Sequence, residues 1–251
     1  MNILALLQCI QPAVSATEAK RLSRIAIAMI AMTGRVTMLG LSRWAGQGGS
    51  YRTIQRFFNA VIPWTLIFKL FFEAHLNKKE EEHFMIGDEC VITKSGKETH
   101  GLDHFFSGLL NKVVKGIAIF TLAVVNVNDR RSYPLSVEQV VRSEAEKEAA
   151  KTKKKAKAKK DTNASKKKLG RPKGSKNRDK TQVELTPELL RIQKMIKKQL
   201  ILLKNLVTVQ HIALDGHFGN NNTLQMVLQC DLHLISKLRC DSALYFVYDG
   251  P

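Results

Sequence analysis

The run His83–Lys94, HFMIGDECVITK, decides how the fold is read. Its apolar and β-branched texture predicts a buried strand, yet Asp88 stands in the middle of it. A second apolar stretch, Val207–Leu214, ends in Asp215-Gly216. A carboxylate beside a sheet core is costly unless it is paired or holds a cation. Helix capping is an alternative for Asp215, which precedes a helix starting near Asn220. No helix follows Asp88, so capping does not account for it. Two carboxylates from neighbouring strands, open to water at one edge, make a hard-oxygen site suited to Mg²⁺. Two such ions about 4 Å apart activate a nucleophile and stabilise a leaving oxygen in phosphodiester displacement.

Working outward, Gly101–Leu110 and Gly116–Val127 (GIAIFTLAVVNV) read as strands joined through Asn111-Lys112, the latter β-rich enough to be central. Asn128–Arg131 is a polar turn, and Tyr133–Val141 leads away from it. Thr186-Pro187-Glu188 starts a helix, with Thr as N-cap and Pro at the first position, running to about Asn205. Asn220–Gln229 reads as a helix, with Leu232–Lys237 and Leu244–Val247 as strands. The predicted order is three strands, a helix, a strand, a helix and a strand, with the short strand at 244–247 after it.

The first 80 residues read as helical. Ser15–Glu18 (SATE) is a capping box leading into Lys20–Thr33, closed by Gly34. Val36–Ala45, Gly46-Gln47-Gly48-Gly49 and Ser50–Asn59 make the pattern of a helix-turn-helix. Arg52, Thr53, Gln55 and Arg56 fall on its exposed side, while Ile54, Phe57 and Phe58 are expected to face inward. Arg and Gln make bidentate contacts to base edges in a major groove. An ordinary helical hairpin with a polar face is the alternative. Pro63 starts a further helix through Leu76.

The 251 residues carry 40 Lys+Arg against 22 Asp+Glu, a net charge of +18, and 44% are hydrophobic. That apolar content excludes a chain disordered throughout. Ile25–Met32 is far short of the roughly 20 residues of a membrane span, and Met1–Ala13 lacks the features of a signal peptide. A soluble, intracellular protein is expected. Cys9, Cys90, Cys230 and Cys240 show no C-x-x-C spacing and read as reduced thiols. Charge is concentrated between Lys147 and Lys180, where 16 Lys+Arg face 3 acids, leaving the other 217 residues at +5. This segment cannot bury a core and is expected to be a disordered basic insertion that grips a polyanion by counterion release. Within it Gly170-Arg171-Pro172-Lys173-Gly174 resembles an AT-hook, whose Arg lies in a narrow A·T minor groove. Leu169 stands where such hooks carry an Arg. A solvated linker and a nuclear-import signal are the alternatives.

The runs GDECVITKSGKETHGLD, RRSYPLSVEQVV, KLGRPKGSKN and HIALDGHFGNN together resemble a group of bacterial insertion-sequence transposases of the DDE superfamily, over about residues 37–251. The resemblance implies an α/β fold with an RNase H-like mixed-sheet core preceded by an all-α region. It divides the chain into a helical DNA-binding region (1–80), two core halves (81–145 and 185–251) and the basic insertion between them (146–184). Asp88 and Asp215 would be the first two catalytic, metal-binding carboxylates, with Mg²⁺ or Mn²⁺ as cofactor. Arg52, Gln55, Arg56, Lys168, Arg171, Lys173 and Lys176 are the DNA-binding candidates. Double-stranded DNA is the implied partner, a homodimer on DNA the implied assembly, and the bacterial cytoplasm, associated with the nucleoid, the implied location. The family's third carboxylate is a Glu on a helix after the last strand. Beyond Glu188 the only acids are Asp215, Asp231, Asp241 and Asp249, so a truncated copy or one frame of an interrupted gene is expected, with an exposed apolar sheet face, poor solubility, and strand transfer weak or absent in this chain alone. Asp231 and Asp241 read as turn residues.

Two other readings remain at this stage: a non-catalytic DNA-binding protein using the helix-turn-helix and basic arm, and a binder of structured RNA. His100 and His104 have a metal-binding spacing only if helical, and their segment reads as loop and strand. His217 lies close enough to Asp215 to meet substrate, with a structural placement as the alternative. Lys94 and Lys97 are candidates for phosphate contact near Asp88.

Overall fold

The computed structural model describes residues 3–77, 81–148 and 181–238. The chain divides into two compact units: Met1–Glu81 with Leu202–Thr208, and Glu82–Ile201 with Val209–Pro251.

The first unit is helical. After two short helical turns, Ile3–Leu6 and Leu7–Ile10, come α1 (Ala16–Ala31), α2 (Met38–Trp44), α3 (Tyr51–Phe58) and α4 (Trp64–His75). At the start of α1 the Glu18 amide donates to Ser15 Oγ (3.2 Å) and Ser15 N–H donates to the Glu18 carboxylate (2.9 Å). This reciprocal pair satisfies two amides that the first turn leaves over. Hydrogen bonds from the Ser15 backbone and hydroxyl hold the Glu18 carboxyl below its ordinary range. Thr37 and Ser50 cap α2 and α3. The turn between those helices puts Gly46 and Gly48 at φ +64° and +82°, a region that a Cβ disfavours. Arg24 Nη1 donates to the Gly48 carbonyl at 3.1 Å and ties the turn to α1.

Ile25, Ala28, Leu41, Ile54 and Phe57 form one buried cluster where α1, α2 and α3 meet. Each large side chain so buried contributes about 1.5–3 kcal/mol. Phe58, expected inside, is half exposed. Ile54 and Phe57 are three residues apart and share a stripe, whereas the next residue turns about 100° away from it. A second cluster joins Ile10, Val14, Ala19 and Ile67.

The second unit is built on a mixed six-stranded sheet. Its elements are β1 (His83–Thr93), β2 (Asp103–Ser107), β3 (Lys112–Asn126), β4 (Arg131–Val140), α5 (Pro187–Leu203), β5 (Val209–Leu214), α6 (Asn221–Leu228) and β6 (His233–Ile235). β3 pairs antiparallel with β1 on one side and with β2 and β4, in tandem, on the other. β1 pairs parallel with β5, and β5 with β6. An antiparallel set followed by parallel strands reached through helices is the RNase H-like α/β arrangement. β4 is a fourth strand ahead of the helix where three were predicted, and β3 starts at Lys112 rather than Gly116. β4 is hard to read because it is a polar edge strand containing Pro134. That proline sits where the ladder with β3 slips, between Leu122 and Ala123, which an edge tolerates. The predicted strand at 244–247 and the basic segment between 149 and 180 lie outside the described residues.

Alternation along β1 and β3 buries Met85, Gly87, Phe120, Leu122 and Val124, while Ile192, Met195 and Ile196 are buried on α5. The opposite parity, with Phe84, Ile86, Asp88 and Cys90, is half-buried to exposed. Gln199 of α5 is fully buried, yet neither side-chain amide atom has a hydrogen-bond partner. Removing such a group in favour of an apolar one of similar shape relieves its desolvation cost. Gln199→Met is therefore expected to stabilise the protein by about 1–3 kcal/mol in urea unfolding; a loss of stability would show that the amide is satisfied in solution.

The chain on either side of residues 149–180 is tied together at its base. Arg191 Nη1 meets Glu146 Oε1 at 2.7 Å, and Ser143 N–H donates to the same carboxylate at 2.8 Å. Burial alone would raise the Glu146 carboxyl, but Arg191 and Ser143 outweigh it and hold the group below its ordinary range. Arg142 lies 4.4 Å over the Phe105 ring and donates to the His104 carbonyl at 3.0 Å.

Candidate functional site

The two aspartates meet through strand register. The last parallel pair between β1 and β5 is Gly87↔Leu214, so Asp88 and Asp215 are the next residues on neighbouring strands, which lie about 4.8 Å apart. Both are exposed. Asp88 Oδ1 accepts the Glu89 amide at 2.9 Å, and β1 continues for five residues beyond it, to Thr93. Asp215 leaves β5 and opens a 3₁₀ turn, Gly216–Phe218, whose His217 amide donates to Asp215 Oδ1 at 3.1 Å. The capping alternative is thus real for one oxygen of Asp215, while Asn220 caps α6 itself.

The turn carrying Asp215 is held in place. Ser236 Oγ donates to the Asp215 carbonyl at 2.7 Å. A Cβ on Gly219 would collide with the Lys237 carbonyl oxygen, a backbone atom that cannot swing aside. His217 is exposed and stands edge-on to Phe218, with ring centroids 5.1 Å apart.

Glu89 is the residue that sequence reading passed over. Alternation turns it away from Asp88 and toward α5, where it lines a small pocket with Phe120, Glu138, Glu188, Arg191 and Ile192. Burial raises the Glu89 carboxyl above its ordinary range, and the Glu188 carboxylate raises it further. Arg142, His217 and Arg191 act in the opposite direction. The available signal was its adjacency to Asp88 on a strand whose alternate residues face the core.

The remaining candidates separate. In the helical unit, Arg52, Gln55 and Arg56 are exposed on α3 while Ile54 and Phe57 are buried beneath them. Lys94 and Lys97 are exposed beyond the end of β1. His100 and His104 are not on a helix, and Asp231 occupies a turn at φ +57°. Lys168, Arg171, Lys173 and Lys176 lie outside the described residues. Among the described residues no three His, Cys, Asp or Glu side chains group as a metal site, and no helix is long and apolar enough to cross a membrane.

Chemically, the site offers two exposed hard-oxygen ligands where β5 ends beside the middle of β1. That set fits a divalent cation that takes one or two carboxylates from protein and fills its other positions with water or phosphate oxygen. A family model described as DDE superfamily endonuclease matches residues 5–251. No curated protein matches the chain.

Proposed function

The chain belongs to the DDE superfamily endonuclease family, and from that premise we propose that it is a DNA transposase whose Asp88 and Asp215 hold Mg²⁺ or Mn²⁺. The observation that supports the reading is the register of β1 and β5, which makes Asp88 and Asp215 the next residues on neighbouring strands, both exposed. When bound, the metal supplies Lewis-acid activation of the attacking oxygen, from water and then from a DNA 3′-hydroxyl, and stabilises the leaving oxygen. The protein's part is positioning. β1 and β5 place the aspartates on neighbouring strands, and the Ser236 hydroxyl and the close pass of Gly219 by Lys237 hold the Asp215 turn against the chain just after β6. Strand alternation turns Glu89 away from Asp88.

DNA recognition is assigned to α3, through Arg52, Gln55 and Arg56. Residues 16–58 carry seven Lys+Arg and a single acid, Glu18, a balance suited to phosphate contact. Lys168, Arg171, Lys173 and Lys176 of the basic insertion (146–184) are assigned to backbone and minor-groove contact. Element ends and target are the proposed DNA partners, bound by a homodimer in the bacterial nucleoid. The competing reading, a DNA-binding protein without catalysis, draws on the capping role of Asp215 Oδ1.

Thermal melting with and without Mn²⁺ separates the two. At 100 times its dissociation constant a ligand stabilises the folded state by about 2.7 kcal/mol. A rise in melting temperature that Asp215→Asn removes supports the metal site. An equal rise in both proteins places the ion elsewhere and leaves the non-catalytic reading.

A further inference from the structure

β2 and the start of β3 form a hairpin paired from Asp103↔Gly116 to Ser107↔Lys112. β1 ends at Thr93, opposite Gly116, so the hairpin runs on past the end of β1, which lies five residues beyond Asp88. Asp88 faces Thr121 on β3. Lys112 is nine residues from Thr121, about 30 Å at roughly 3.3 Å per residue. Phe106 and Val113 face each other across the hairpin. By alternation Val113 shares its side of β3 with Thr121, and so with Asp88.

This tip is apolar and bare. Leu109 in the turn is 96% exposed, Phe106 59% and Val113 62%. Lys112 closes the ladder opposite Ser107, and Lys115 follows on β3 beside Lys94, whose amide donates to the Lys115 carbonyl at 3.1 Å; all three are exposed. The acids in the same stretch are Glu98 and Asp103, and Arg142 meets Asp103 at 3.4 Å. A few apolar side chains on a narrow tip fall short of the roughly 800 Å² per partner that a stable protein contact buries. A second copy would also bring the same lysines into like-charge opposition. Apolar knobs flanked by lysine suit a polyanion with an apolar interior, which is duplex DNA.

We propose that the hairpin is a DNA wedge. Lys112 and Lys115 neutralise phosphates while Leu109 and Phe106 enter the minor groove and part a base step, kinking the duplex. At about 3.4 Å per base pair, 30 Å sets the kink roughly nine base pairs from the phosphate at Asp88. The proposal rests on DNA being the substrate, and it adds a second point of contact that fixes the cutting distance by bending.

The test uses the full chain and a 30-bp A·T-rich duplex carrying a donor and an acceptor dye at its ends. Wild type is expected to bind and to raise energy transfer, with a bend in the range of about 20–90°. Phe106→Ser with Leu109→Ser is expected to bind within about threefold of wild type and to lose the rise; a melting temperature equal to wild type establishes that it is folded. Lys112→Ala with Lys115→Ala is expected to weaken binding and to lower the salt slope by about two. Bending retained in the serine variant overturns the wedge alone. So does a serine variant that bends normally but sediments as a smaller species, which makes the tip a protein contact. Failure of wild type to bind the duplex at low salt overturns the DNA reading itself.

Discussion

Asp88→Asn is expected to lower Mn²⁺-dependent nicking of supercoiled DNA by about 10³-fold or more, since a metal's contribution of several kcal/mol is tenfold per 1.36 kcal/mol. Asparagine keeps the shape and one oxygen but removes the charge. The Glu89 amide that Asp88 Oδ1 accepts at 2.9 Å can still be satisfied, so the strand is not expected to shift. Affinity for duplex should stay within about threefold, because the DNA contacts are assigned to other residues and each phosphate pairing adds separately. Asp215→Asn should fall to a similar level, and the double variant scarcely lower, because ligands of one metal act as a unit. Nicking by Asp88→Asn at the wild-type rate would remove this residue from the chemistry.

Phe120→Ala is expected to cost the sheet unit about 3–5 kcal/mol, the usual cost of deleting a buried aromatic ring. Phe120 is 2% exposed on β3, meets Phe218 edge-on at 6.2 Å, and shares its pocket with Ile192 and Met195. A Cβ on Gly87 would lie 2.9 Å from its ring, so the ring fills the space left by that glycine. Hydrogen exchange reads the effect by unit. Protection should collapse in β1, β3 and β5 and persist in α1, α2 and α3, whose buried cluster contains no residue of the sheet. Equal loss in both units would mean that they unfold together.

Much of this was legible from local chemistry. The SATE capping box and the Thr186 cap each follow from side chains and amides within a single turn. The Ile117–Val127 run is β-rich enough to be a central strand, and β3 lies inside the sheet. β4 was missed because an edge strand needs no apolar alternation and tolerates Pro134. Phe58 was misplaced because composition does not say where a short helix turns its last residue. The carboxylate pair was legible as two residues of the right type, but their adjacency depends on the parallel register Gly87↔Leu214, which no local pattern specifies. Glu89 stayed hidden for a related reason: its burial comes from α5, about a hundred positions away in the chain.

The pairing of β1 with β5 also has a consequence in time. Asp88 and Asp215 are separated by more than a hundred residues, so the pair cannot form until the ribosome has delivered β5. The buried clusters of α1, α2, α3 and α4 are complete by Ile67. Long-range pairing is slow because loop closure precedes the contacts that reward it. A nascent chain can therefore close these two clusters well before Asp88 and Asp215, the pair proposed to hold metal, lie on neighbouring strands.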